Sequence, residues 1–304
     1  MHELILHHYD PSPFSEKIRL IFGLKNLHWQ SVIVPMVLPK PDLMPLTGGN
    51  RRTPVLQIGA NIFCGTGLIA FELEQRFPEP SIYPGCSWGL CEIISLWADE
   101  VLFGPSSRYA IRDATDFPSN FHEDRASMRG LIPPPPDQLR RDAPHNLEQL
   151  QLNLVFLEET LGTGREFILG NDVSIADFAI YARIWWAQLN AGDQDELSAL
   201  PQVQAWMRRI SALGHGERTE STPSEALDIA KAALPFTPDS DDKSLTADIG
   251  DYISLGVDGV GSDPVQGRIV AVTDNAVVLR RVDEQVGDIH VHLPRRGYKA
   301  SDIL

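Results

Sequence analysis

Residues 3–9 form a short apolar run that ends just before Ser12-Pro13, the clearest helix start in the chain. A serine in that place accepts a hydrogen bond from the unpaired amides of a first helical turn. Proline suits the next position, where its missing amide proton costs nothing. Phe14, Ile18, Ile21 and Phe22 then recur at helical spacing. Residues 30–34 read as a second strand, and residues 53–58 and 61–64 as a hairpin turning at Gly59-Ala60. From Thr66 the apolar positions Ile69, Leu73 and Phe77 share one helical face, which stops before Pro78. The order is β-α-β followed by β-β-α.

Beyond Pro84 the periods lengthen. Leu90, Ile93, Ile94, Trp97 and Val101, then Leu147, Leu150, Leu154, Leu157 and Leu161, then Ile175, Phe178, Ala182 and Trp186 imply a second, all-helical domain. Pro133 to Pro136 interrupt it with a stretch that cannot continue a helix. An acidic Ser/Pro-containing stretch at 237–243 reads as a linker, after which alternating segments at 252–255, 268–272, 276–281 and 288–293 predict a small antiparallel β appendix. The expected units are therefore 1–84, 85–236 and 237–304, which suits a length of 304 residues.

With 43% hydrophobic and 22% charged residues, and no run of 18 apolar ones, the composition is that of a globular protein without a membrane span. The opening MHELILHHYD does not have the basic patch and long apolar stretch of a secretory signal, so a cytoplasmic setting is expected. Cys64, Cys86 and Cys91 have neither disulfide-framework nor metal-ligand spacing. A net charge of −15, with only short basic pairs such as Arg140-Arg141 and Arg295-Arg296, argues against nucleic acid as a partner.

Three segments have the residue types for chemistry. Ser12-Pro13-Phe14-Ser15 opens a helix directly after a strand. A thiolate held there would meet free amides and the positive end of the helix dipole, and a hydroxyl could donate to its sulfur. A bound thiol would become more nucleophilic at neutral pH. Read locally, Ser12 is either such a partner or a plain helix cap. Thr53-Pro54 begins a strand; a cis bond would expose the backbone of Thr53 to an extended peptide, and a trans strand-initiating proline is the alternative. Gly65-Thr66 opens the next helix, where amides and a hydroxyl can receive a carboxylate, with Arg51 and Arg52 as a source of positive charge.

In this order the elements are those of a thioredoxin fold, and residues 3–215 resemble the glutathione transferase superfamily. Ser12-Pro13-Phe14-Ser15-Glu16-Lys17-Ile18-Arg19 looks like its serine-type active-site segment, Arg52-Thr53-Pro54-Val55-Leu56 its cis-proline segment, and Gly65-Thr66-Gly67-Leu68-Ile69 its γ-glutamyl-binding turn. The resemblance implies that Ser12 faces the sulfur of glutathione, bound as co-substrate. It also implies that the Thr53 backbone pairs with the cysteinyl part, that Thr66 binds the γ-glutamyl carboxylate, and that Arg52 lies near the peptide. It implies a homodimer and a small apolar electrophile as the second substrate. Asp172 to Phe178 is similar to a segment of the family's buried core helix, with Ser174 and Asp177 at capping-box spacing and a structural role.

Two positions depart from the family. Gly65 stands where it usually has an acidic residue that holds the ligand's ammonium group, and the β appendix lies beyond the usual two domains. Both motivate an alternative, a non-catalytic module of the same fold that binds ligands or proteins. Serines at 12 and 15 exclude disulfide exchange through a Cys-x-x-Cys pair, and Cys64 reads as a small buried hydrophobe. His290 and His292 lie on one side of a strand without a third metal ligand and read as exposed strand residues.

Overall fold

A computed structural model of the protein describes residues 3–113, 117–189, 199–240, 247–259 and 263–301. Part of the acidic stretch at 237–243 and the side chain of Cys86 lie outside the described residues. The first unit follows the expected order: β1 (Leu4–His8), α1 (Pro13–Leu24), β2 (His28–Ile33), α2 (Leu43–Thr47), β3 (Val55–Ile58), β4 (Asn61–Cys64) and α3 (Thr66–Arg76). β1 pairs in parallel with β2 and antiparallel with β3, and β3 forms the hairpin with β4. Every residue of β1, β3 and β4 is buried, so these strands read as continuous apolar runs rather than alternations.

The helical unit contains α4 (Trp88–Trp97), α5 (Phe103–Ala110), α6 (Phe121–Ser127), α7 (Pro136–Leu161), α8 (Ile175–Leu189) and α9 (Pro201–Ser211). A single π-helical turn, Ala98–Leu102, joins α4 to α5. The central α8 is buried along most of its length. Asp177 anchors it: one carboxylate oxygen accepts from the Ser174 amide at 2.9 Å and hydroxyl at 2.7 Å, and the other from the Ile168 amide and the Trp206 indole, both at 2.9 Å. Four donors compensate a carboxylate that burial alone would neutralise.

The chain then returns to the first unit. β5 (Glu217–Glu220) adds in parallel to β2, and α10 (Pro223–Ala232) opens with a Thr222/Glu225 capping box. The appendix follows as β6 (Tyr252–Val257), β7 (Val265–Val272), β8 (Ala276–Asp283), β9 (Gly287–Pro294) and β10 (Tyr298–Ser301). It is not a satellite. β9 pairs in parallel with β4, so one ten-stranded sheet runs β10-β6-β7-β8-β9-β4-β3-β1-β2-β5. Its apolar side chains share a core with the first unit, in which Ile253, Leu279, Val291 and Leu293 pack with Leu46, Val55, Ile62 and Cys64.

This continuity overturns the expectation that His290 and His292 are exposed. They are 5% and 3% accessible, because β9 is an interior strand covered on both faces. His292 stacks on Phe63, ring centres 4.2 Å apart, and His290 bonds the Phe236 carbonyl through Nδ1 at 2.9 Å. With its amide nitrogen turned towards them, Asn61 donates to His292 Nε2 and to the Phe236 carbonyl, each at 3.0 Å.

Candidate functional site

A cleft of about 300 Å³ opens between the first unit and the helices. One wall comes from the loops that leave strands: Tyr9 and Phe14 after β1, Lys40 and residues 51–54 before β3, Gly65 and Thr66 between β4 and α3. The opposite wall is Phe103 and Ile111 around α5, Phe121, Asp124, Arg125, Met128 and Arg129 on and after α6, and Trp186 on α8. Of the residues singled out from sequence, Arg52, Thr53, Pro54, Gly65 and Thr66 meet in this cleft, and the Thr53–Pro54 peptide is cis.

Ser12 does not line it. The side chain is fully buried one residue behind Pro13 and Phe14, which do, and its Oγ accepts from the Ser15 amide at 3.2 Å as the cap of α1. Its own proton has no acceptor among the described residues. Beneath the cleft floor, Arg183 is completely buried between Phe14 and Phe103, 4.1 and 4.8 Å from their ring centres, and pairs with Asp99 at 2.5 Å. Cys64, in β4, is buried and its thiol is pushed up to about 12 by desolvation, so it is not a nucleophile at neutral pH.

The basic residues here come from three separate stretches of sequence. Arg51 pairs with Asp124 at 3.2 Å and Asp263 at 2.8 Å. Arg125 also pairs with Asp124 and donates to the Met36 carbonyl at 2.7 Å and the Tyr9 hydroxyl at 3.3 Å. Lys40 donates to the Arg51 carbonyl at 3.0 Å; burial, aided by Arg125 and Arg51, lowers its pKa to about 8.

Gly65 and Thr66 also border a second cavity of about 270 Å³, reaching α1, α4 and the appendix. The reason for glycine at 65 is steric. Its φ is +89°, and a Cβ there would stand 2.7 Å from Cγ of Pro294, at the end of β9. The appendix occupies the space an acidic side chain would need. In that second cavity Lys17 is 2% exposed and its ammonium makes no hydrogen bond among the described residues, and the buried Ser95 Oγ is also without a partner. Burial lowers the Lys17 pKa, opposed by the carboxylates of Asp99 and Glu92 that line the same cavity. Arg296 of the appendix lies 3.7 Å from Glu92. Buried donors without partners thus lie beside two carboxylates in one cavity, and buried polar groups normally have partners.

No curated protein matches the chain. Residues 6–81 match the family model described as glutathione S-transferase, N-terminal domain, and residues 140–209 the corresponding C-terminal domain. A GST-like protein from Pseudomonas syringae is similar at 33% identity over 99% of this chain and 100% of its own, with a TM-score of 0.77. Two more distant structures share the fold. FzlA from C. crescentus has 22% identity and a TM-score of 0.53, covering 74% of this chain and 92% of its own. A glutathione transferase family member from Pseudomonas fluorescens, solved with two glutathione bound, has 16% identity and a TM-score of 0.52, covering 69% and 89%. The thioredoxin-like and helical units, the cis Thr53–Pro54 bond and full-length similarity to a GST-like protein place this chain in the glutathione S-transferase superfamily.

Proposed function

We propose that the protein is a glutathione transferase whose cleft binds glutathione as co-substrate and directs its thiolate at an electrophile with an apolar body. The observation that carries this reading is the meeting of Thr53, Pro54, Gly65 and Thr66 around one cavity at the N-terminal end of α1. The cysteinyl part pairs with the Thr53 backbone, the γ-glutamyl carboxylate takes Thr66 at the start of α3, and the glycine carboxylate lies towards Lys40 and Arg52. Phe103, Phe121 and Trp186 supply the apolar surface for the second substrate.

The ligand's ammonium group, which Gly65 cannot serve, enters the second cavity and is held by Glu92 and Asp99. Glu92→Gln is then expected to weaken glutathione binding by about 10- to 100-fold, the loss of one charge-assisted bond, while binding of cysteinylglycine changes little. Calorimetry on both ligands reads this; equal losses for the two would move the ammonium elsewhere.

Ser12 donates its free hydroxyl proton to the thiolate. Initial-rate and binding measurements on Ser12→Ala should show turnover lowered by about 10²-fold with glutathione affinity within about threefold, because a single donor to developing charge acts on the reacting state. Its position behind the cleft wall favours a second reading, glutathione binding without catalysis, in which Ser12 is only a cap. That reading stands if no electrophile is turned over faster than in buffer, and the first falls if calorimetry detects no glutathione binding at millimolar concentration.

A cytoplasmic setting and a homodimer belong to the same proposal. No helix among the described residues is long and apolar enough to cross a membrane. On α4, Leu90, Ile93 and Leu96 are 51%, 65% and 42% exposed along one face, an apolar stripe suited to a second copy. Light scattering that gave a monomer mass would remove the dimer.

A further inference from the structure

Five cations, Lys40, Arg51, Arg52, Arg125 and Arg129, line the cleft of a chain whose net charge is −15. Two carboxylates meet them, Asp124 shared by Arg51 and Arg125, and Asp263 on Arg51. Three positive charges are left over. Glutathione bound as proposed above brings its glycine carboxylate and its thiolate here, while its γ-glutamyl carboxylate, on Thr66, and its ammonium, in the second cavity, balance one another. One cation remains that neither these two carboxylates nor glutathione meets.

The contacts identify it. Arg52 donates to the Met128 carbonyl at 3.3 Å, beside the cis-proline segment. The Arg129 guanidinium makes no hydrogen bond or ion pair among the described residues; it lies 5.2 Å from the ring centre of Phe103, on the aromatic side of the cleft. Arg129 is an exposed residue; desolvation and the like charges of Arg52, Arg108 and Arg125 press its pKa down, against the charge of Glu100. Gathering unpaired arginines costs free energy that an arriving anion recovers. Asp124 cannot serve as that anion, since Arg51 and Arg125 already occupy it.

We propose that the second substrate is an anionic aromatic electrophile, whose ring lies on Phe103, Phe121 and Trp186 and whose oxyanion substituent, a carboxylate, sulfonate or phosphate, pairs with Arg129. The inference rests on the glutathione reading for its chemistry. In the reaction, the glutathione sulfur bonds to the ring carbon bearing a halide, the carbon–halogen bond breaks with its electron pair to release the halide ion, and the thiol proton passes to solvent. The oxyanion takes no part in bond making; it orients the ring.

The experiment has a binding arm and a turnover arm. Quenching of tryptophan fluorescence by 3-nitrobenzoate and by the uncharged 3-nitrobenzamide measures binding without glutathione, with Trp186 in the cavity wall as a reporter. The benzoate is expected to bind about 10-fold more tightly, an advantage that Arg129→Gln reduces to about twofold or less and that Arg129→Lys partly restores. The same ratio is expected in kcat/KM for 4-chloro-3-nitrobenzoate over 4-chloro-3-nitrobenzamide at saturating glutathione. Equal binding of the two nitroaromatics, or an advantage that survives Arg129→Gln, overturns the inference. Arg129-dependent benzoate binding without conjugation instead overturns the transferase reading and leaves the anion site standing.

Discussion

Between pH 7.5 and pH 5 the protein is expected to lose about 6 kcal/mol of folding stability to three buried histidines. His7, His8 and His292 are 2%, 0% and 3% exposed. Desolvation lowers His7 to about 4, against a hydrogen bond of 2.8 Å to Gln57 that favours the charged ring. His8 is lowered to about 3 by burial and then by the charges of Arg19 and Arg218; its Nδ1 accepts from Arg19 at 3.1 Å, so it cannot also hold a proton there. His292 falls to about 3 by burial, with His290 and Arg76 adding to the effect.

The sign follows from proton counting. All three folded values lie below the unfolded value of about 6.5, so in acid the unfolded chain binds protons that the folded chain refuses. The stability is fully present above pH 6.5 and is lost as pH falls towards the folded values. At pH 5 each histidine has given up about 2 kcal/mol, which sets the total. Asp10, Glu16 and Asp99 have lowered pKa values, add to the loss only nearer pH 4, and leave the window above pH 5 to the histidines. Urea unfolding at a series of pH values reads the slope, and His7→Gln should remove about a third of it. A stability that stays flat from pH 7.5 to pH 5 would contradict these buried, neutral rings.

Much of the fold was legible because the first unit announces itself in local signals. The Ser12-Pro13 cap, the Gly59-Ala60 hairpin and the Thr66 helix each sit where their chemistry requires. The strands at the two edges were not legible. β5 reads Glu-Arg-Thr-Glu, all exposed, and is held by backbone pairing to β2 together with polar contacts such as Arg218 on Asp10 at 2.8 Å. β10, Tyr-Lys-Ala-Ser at the other edge, does alternate half-buried Tyr298 and Ala300 with exposed Lys299 and Ser301, but over four residues only. An edge strand need bury few side chains, so it leaves little or no alternation to detect.

The site divides in the same way. Arg52, Thr53, Pro54, Gly65 and Thr66 are close in sequence and came together as motifs. Lys40, Arg125 and Arg129 could be joined to them only by the fold, so a chain of acidic composition concealed a basic cleft. Gly65 was an anomaly in the sequence because its cause, Pro294, lies at the far end of the chain. His290 and His292 misled for a related reason. Alternation with Ile289, Val291 and Leu293 assigns them to the opposite face, but only the pairing of β9 with β4 reveals that this face is covered too.

That pairing makes residues 237–304 part of the fold, and their removal is expected to abolish it. In the shared core, Val34, Leu43, Leu46, Val55, Ala60, Ile62 and Cys64 of the first unit pack with the apolar faces of β6 to β9. Exposing them costs on the order of 1 to 2 kcal/mol each, about 10 kcal/mol together, which is comparable to the whole stability of an ordinary domain. β4 would also become a bare edge of buried, apolar character, since it would lose the ladder through which Asn61, Ile62 and Phe63 pair with His290, Val291 and His292. A chain of residues 1–236 should therefore be recovered as aggregate, or as a species that binds hydrophobic dyes and melts without a cooperative transition. The full-length Val291→Asp variant tests the same seam at one point. Val291 is completely buried opposite Ile62, so a carboxylate there is expected to cost about 3 to 5 kcal/mol and lower the melting temperature steeply. If residues 1–236 instead melt cooperatively within a few degrees of the whole protein, the appendix is an ornament on a self-sufficient transferase fold; if they do not, the strand that displaces an acidic residue at position 65 is also the one that completes the sheet.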